Sequence, residues 1–103
     1  MSEKVLAGKS VDVNEEGYLT DATVWTPSMA EELARDAGIE LTDKHKEVIE
    51  FLRDRYNSGQ PLTIRRVGKS GIVSIKEFYA LFPGGPLKVS SKIAGIPKPT
   101  SCV

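Results

Sequence analysis

The sequence predicts a small, mainly α-helical domain with a β-hairpin in front and a stiff, proline-containing arm behind. Three observations carry that expectation. Apolar residues recur at helical spacing from Met29 to Ile93, interrupted by Gly and Pro clusters. Two short β-prone runs flank Gly8 near the start, and Pro97 and Pro99 stand near the end. At 103 residues, the chain has material for one core and not for two.

The elements follow in order. Residues 4–13 form the hairpin, with its turn at Gly8-Lys9-Ser10, and Asn14-Glu15-Glu16-Gly17 makes a second turn. Tyr18 and Trp25 are expected to seat this ribbon on the core. Thr26-Pro27 opens the first helix as N-cap and first helical residue. Met29, Ala30, Leu33 and Ala34 form its apolar stripe, and Gly38 ends it. Thr42 caps the second helix, whose inner face is read as Val48, Ile49, Leu52 and Tyr56. Thr42-Asp43-Lys44-His45 lacks the Glu of a capping box, although Thr42 remains a good N-cap. His45 sits in the first turn, where the helix dipole disfavours its protonated form, so a surface or capping role is expected rather than catalysis.

Asn57-Ser58-Gly59-Gln60-Pro61 stops that helix, and residues 62–69 read as a short one weakened by Gly68 and Gly71. Ser74 caps a fourth, with Ile75, Phe78, Tyr79 and Phe82 inward. After Pro83-Gly84-Gly85-Pro86, residues 87–94 make a last helix ended by Gly95. The domain is therefore placed at residues 1–95 and the extended arm at 96–103, where the prolines exclude internal hydrogen bonds.

Net charge is zero but unevenly spread: residues 1–50 carry −7 and residues 51–103 carry +7. A dominant nucleic-acid role calls for a strongly basic domain, which this is not. No apolar run reaches the length of a membrane span, and no secretory signal is visible, so a cytoplasmic setting without membrane insertion is expected. Cys102 is the only cysteine and His45 the only histidine. An intramolecular disulfide is excluded, and neither a metal site nor an organic cofactor is expected. A lone cysteine near a chain end is reachable, and its thiolate is the nucleophilic form; nearby cations raise the thiolate fraction. Arg65, Arg66 and Lys69 are the candidate cations.

Two readings of function start from these residues. A stiff arm ending in Cys102-Val103 suits a swinging carrier, since prolines limit the entropy lost on docking. The alternative takes residues 42–71 as a helix–turn–helix of winged-helix type. The protein would then bind DNA or act in regulation, with Cys102 as a redox sensor.

Leu81-Phe82-Pro83-Gly84-Gly85-Pro86, followed by Lys92-Ile93-Ala94-Gly95-Ile96-Pro97-Lys98-Pro99-Thr100-Ser101-Cys102-Val103, resembles the C-terminal signature of the DsrC/TusE family. These are small sulfur carriers related to the gamma subunit of dissimilatory sulfite reductase and to the relay protein of tRNA thiolation. Glu16-Gly17-Tyr18-Leu19, Trp25, Phe51-Leu52-Arg53-Asp54 and Ile64-Arg65 extend the likeness over nearly the whole chain. The resemblance implies an orthogonally packed helical domain with a hairpin and a mobile arm. It implies that Cys102 accepts sulfane sulfur as a persulfide and passes it from a donor protein to an acceptor protein. It also implies that Arg65 and Tyr79, with Lys69, surround the docked arm. Family members tied to sulfite reduction carry a second cysteine eleven residues before the last. Here that position is Ser91, so no sulfur–sulfur bridge within the arm is available.

Overall fold

The computed structural model describes residues 2–98. The chain opens as an antiparallel hairpin, β1 (Ser2–Leu6) and β2 (Lys9–Val13), with Leu6 opposite Lys9 and Ser2 opposite Val13. Its turn is Ala7-Gly8, one residue earlier than the sequence suggested, and both residues have positive φ (51° and 78°). A two-residue turn with this left-handed pair matches the twist of the strands it joins. Leu6, Val11 and Val13 face the core. The ribbon is fastened to the first helix by Lys4 Nζ to Asp36 Oδ2 at 2.7 Å and by the Ala7 N–H donating to the Glu32 carboxylate.

Five helices follow: α1 (Pro27–Asp36), α2 (Asp43–Asn57), α3 (Ile64–Gly68), α4 (Ile75–Leu81) and α5 (Pro86–Ile93), with a single 3₁₀ turn at Ala22–Val24. The expected helical domain with its N-terminal hairpin is therefore present. The hydroxyls of Thr26, Thr42, Thr63 and Ser74 each accept from a backbone N–H three residues on, which is why the helices begin where they do. Helix α5 lies against α1, α2 and α4, so it is the element around which the others assemble. The core runs from Leu6 and Met29 through Leu52 and Phe78 to Leu87 and Ile96.

Several details correct the sequence reading. A capping box does form at Thr42: His45 is buried and supplies the missing acceptor, its Nδ1 taking the Thr42 N–H at 3.1 Å. Its Nε2 lies 2.8 Å from the Leu81 carbonyl, in place to donate to it. The ring also stands edge-on to Phe82, centroids 5.0 Å apart. Ile75 and Tyr79 do not face inward; they are 45% and 48% exposed, because α4 is only about two turns long and the side it turns to the core carries Phe78, with Phe82 following at its end. Tyr56 is likewise exposed, at the end of α2. α3 ends at Gly68 after five residues, and the glycine there also serves packing. A Cβ there would sit 2.5 Å from Ile75 Cγ1, so the missing side chain lets α3 and α4 approach.

Replacing His45 by Ala removes a cap acceptor and strands the Leu81 carbonyl. The expected cost is about 2 kcal/mol of folding stability, measured by urea denaturation.

Candidate functional site

The root of the C-terminal arm is the best-built part of the surface. A helix ends with carbonyls that have no partner along the helix, and each needs one from elsewhere. At the end of α5 the backbone supplies three: Ala94 N–H to Ser90 O at 2.8 Å, Gly95 N–H to Lys92 O at 3.2 Å and Ile96 N–H to Ser91 O at 3.2 Å. The last two, with Gly95 at φ +70°, make a Schellman motif. Side chains supply the rest. Trp25 Nε1 donates to Ile93 O at 2.9 Å, and Arg53 Nη1 donates to Ala94 O at 2.7 Å.

Arg53 is the centre of this joint. Its Nη2 also donates to Ala22 O at 3.0 Å, and its guanidinium lies 4.2 Å from the Trp25 ring centroid. Burial pushes its pKa down, but a guanidinium keeps its charge even so. The chain then passes flat over the indole: a Cβ on Gly95 would stand 2.2 Å from Trp25 Cδ1. Ile93 and Ile96 are buried, and Pro97 and Lys98 are exposed, so the chain leaves the core between Ile96 and Pro97.

Beyond the root, Lys98 Nζ meets Glu16 Oε2 at 2.8 Å. Glu16 belongs to the turn that Asn14 stiffens, Asn14 Oδ1 accepting from the Glu16 and Tyr18 amides at 2.9 and 3.0 Å. The bond from Lys98, aided by the charges of Lys88 and Lys92, holds the Glu16 carboxyl below its ordinary 4.5. Tyr18 is buried beside it, donates its hydroxyl to Lys88 O at 3.1 Å, and has its pKa raised chiefly by burial. Lys92 runs over Gly17 and Tyr18, its Nζ 5.8 Å from the ring centroid.

The predicted site residues are distributed as follows. Cys102 and Pro99 lie outside the described residues. Pro97 is at the surface just after the root. Arg65 is exposed on α3, Tyr79 is exposed on α4, and Lys69 caps α3 beside a cavity shared with Arg55 and Arg66. Among the described residues, no hydrogen bond or ion pair joins Arg65, Lys69 or Tyr79 to residues 94–98. Ser91 is fully buried, and its Oγ has no hydrogen-bond partner among the described residues. Sequence reasoning missed Arg53 and the Lys98–Glu16 pair. A lone Arg inside an amphipathic helix carries no local signal of two distant carbonyls.

A family model described as "DsrC like protein" matches residues 5–103. The gamma subunit of the dissimilatory-type sulfite reductase of Nitratidesulfovibrio vulgaris is 39% identical over 105 residues, covering 100% of both chains. Sulfurtransferase TusE of Escherichia coli is 36% identical over 107 residues, covering 96% of this chain and 98% of the relative. In three dimensions the chain is similar to the oxidized gamma subunit of dissimilatory sulfite reductase (DsrC) from Archaeoglobus fulgidus. The TM-score is 0.84 at 36% identity, over 99% of this chain and 100% of that one.

Two measurements test the joint. Gly38 and Gly95 share a positive φ, +75° and +70°, but only Gly95 has a neighbour where a Cβ would go. Gly38→Ala should cost about 1 kcal/mol for the backbone alone. Gly95→Ala should cost at least about 2 kcal/mol, and equal losses in urea denaturation would mean that Trp25 yields freely. The second is a pH titration. A carboxyl whose folded pKa is depressed contributes its ion pair above its ordinary pKa and loses it as pH falls through the folded value. The Glu16 side-chain resonance should therefore titrate below 4.5, and Lys98→Ala should move its midpoint up.

Proposed function

The chain belongs to the DsrC-like family, and from that premise we propose that it is a sulfur-relay carrier whose working group is the Cys102 thiol. The observation that carries the reading is the full-length match to proteins named sulfurtransferase and sulfite reductase gamma subunit, through a sequence that ends on Cys102-Val103. The anchored root supports it, because an arm that swings needs a fixed pivot. The pinned stretch from Ile93 to Ile96 provides one without holding the residues after it in the core.

The chemistry is one displacement. The Cys102 thiolate attacks the outer sulfur of a donor persulfide. A new S–S bond forms, the donor's S–S bond breaks, and the donor leaves as a thiolate. Sulfur oxidation is conserved overall, so neither oxidant nor metal is consumed. The Cys102 persulfide then meets an acceptor protein's nucleophile in the same kind of step. The partners are proposed to be a sulfur-donor protein and an acceptor enzyme, of the relay or sulfite-reductase kind. Arg65 and Lys69 are proposed as cations that steady the thiolate, with Tyr79 beside the docked arm and Pro97 and Pro99 keeping it extended. The domain is proposed to span 1–95 and the arm 96–103, with the buried Ile96 as the arm's anchored foot. The DNA-binding alternative gains nothing from the fold. Helix α3 has five residues, about 7.5 Å, which is too short to read a groove.

Two experiments test the reading. After incubation with a persulfide donor, mass spectrometry should place one added sulfur on Cys102. Cys102→Ala should abolish loading and Ser91→Ala should leave it at the parent rate; loading that survives in the cysteine variant ends the proposal. Arg65→Leu should slow iodoacetamide labelling of Cys102 at neutral pH a few-fold without altering the fold. Superimposable pH profiles for the two proteins would remove Arg65 from the thiol's surroundings.

A further inference from the structure

The outer face of α2 carries a pattern that the sulfur-carrier reading does not use. Glu47, Glu50, Phe51, Asp54 and Arg55 recur at three- and four-residue spacing, so they share one side of the helix. Phe51 is half-buried at the middle of this side. Toward α3 it borders a cavity of about 190 Å³ that is also lined by Arg55, Pro61, Leu62, Arg66, Lys69 and Ser70. In the other direction it borders an open groove lined by Lys44, Glu47, Glu50 and Asp54.

The cavity brings together three cations and no acidic group. Among the described residues, Arg55, Arg66 and Lys69 have no ion-pair partner, and Arg55 rests over the Phe51 ring at 5.1 Å. Phe51, Pro61 and Leu62 give the same cavity apolar walls. On the acidic side Lys44 is occupied, 3.4 Å from Glu47 and donating to the Ile72 carbonyl at 3.0 Å, so Glu50 and Asp54 set the sign of that groove.

We propose that this cavity, with Phe51 at its rim, is a docking site for a partner protein that inserts an acidic side chain flanked by an apolar one. Its volume suits one large or two small side chains and falls short of the ~300–1,000 Å³ of a drug-sized ligand site. The inserted carboxylate pairs with Arg66 and Arg55, and the apolar neighbour covers Phe51 and Leu62. Cations on the partner, placed beside its acidic residue, face Glu50 and Asp54. This two-signed pattern sets the register of docking and selects a folded protein over a polyanion. A nucleic-acid backbone laid across Phe51 would meet Glu50 and Asp54 within about one screening length.

The experiment uses ¹⁵N-labelled protein without any sulfur donor, so its outcome is separate from that of the sulfur-carrier reading. The probe is the blocked tripeptide acetyl-Leu-Glu-Leu-amide, compared with its Gln counterpart, inorganic phosphate and a short DNA duplex. Saturable shifts are expected at the amides of Leu62, Arg66 and Ser70. The Gln peptide should bind about tenfold more weakly or worse, since it forfeits a charge-assisted bond. Arg55→Glu and Arg66→Glu should each abolish the shifts. Both residues are exposed, and unchanged amide positions in the hairpin would verify that the fold persists. Four results overturn the proposal: no saturable shift with the Glu peptide, equal binding of the Gln peptide, the same shifts from phosphate alone, or tighter binding of the duplex.

Discussion

The contact on which the chain end depends is the guanidinium of Arg53, held between the carbonyls of Ala22 and Ala94 and over the face of Trp25. Withdrawing a cation from water is costly, and here the cost is offset by two carbonyls that would otherwise lack donors and by the π-face of an indole. The position suits the charge, since the C-terminal end of α5 carries the negative end of its dipole. With Arg53 in place, Trp25 is fixed to donate to Ile93 and to form the flat floor under Gly95. The direction in which the chain leaves the core follows from these contacts. A substitution at Arg53 would leave the Ala94 carbonyl unpaired beside a loosened indole and would disturb both sides of the joint at once.

The caps show what the sequence could disclose. Thr26-Pro27, Thr42 and Ser74 announce helix starts through chemistry that reaches only three residues along the chain, and each start is where that chemistry places it. Gly38, Gly59 and Gly95 announce helix ends in the same local way. His45 was harder to read. The box it closes with Thr42 is local, but its burial depends on Leu81 and Phe82, more than thirty residues away. Tyr79 and Ile75 fit a helical stripe, yet a helix this short turns too little surface inward to bury them. Arg53, Lys98 and Glu16 stand in the motifs that carry the family resemblance, but their partners are set by tertiary packing and have no local sequence signal. The candidate thiol is singled out by composition and motif, and Cys102 itself lies outside the described residues.

Ser91 bears on how the arm root differs from a two-cysteine version of itself. Its side chain is fully buried in the last turn of α5, and its hydroxyl finds no hydrogen-bond partner among the described residues, in an otherwise satisfied joint. A hydroxyl there contributes no bond and carries a desolvation cost. The backbone of the same residue is fully engaged, its carbonyl accepting from Ile96. A sulfur at this position would replace that hydroxyl in the same buried turn, between Ser90 and Ile93, which are also buried.

The division of charge between the two halves of the chain is only partly neutralised in the fold. Of the ion pairs among the described residues, Lys4–Asp36 and Lys44–Glu47 lie within the acidic half, and only Lys98–Glu16 joins the halves. Much of the asymmetry therefore remains on the surface, with carboxylates along α2 and cations on α3. A surface of this kind contributes little to stability, because exposed charges are well screened. It contributes to encounter, because an oriented field biases which face of a small neutral protein approaches a charged partner first. For a carrier proposed to visit a donor and then an acceptor, such a bias matters more than tight binding. Each complex must form in the correct orientation and come apart again once the sulfur has moved.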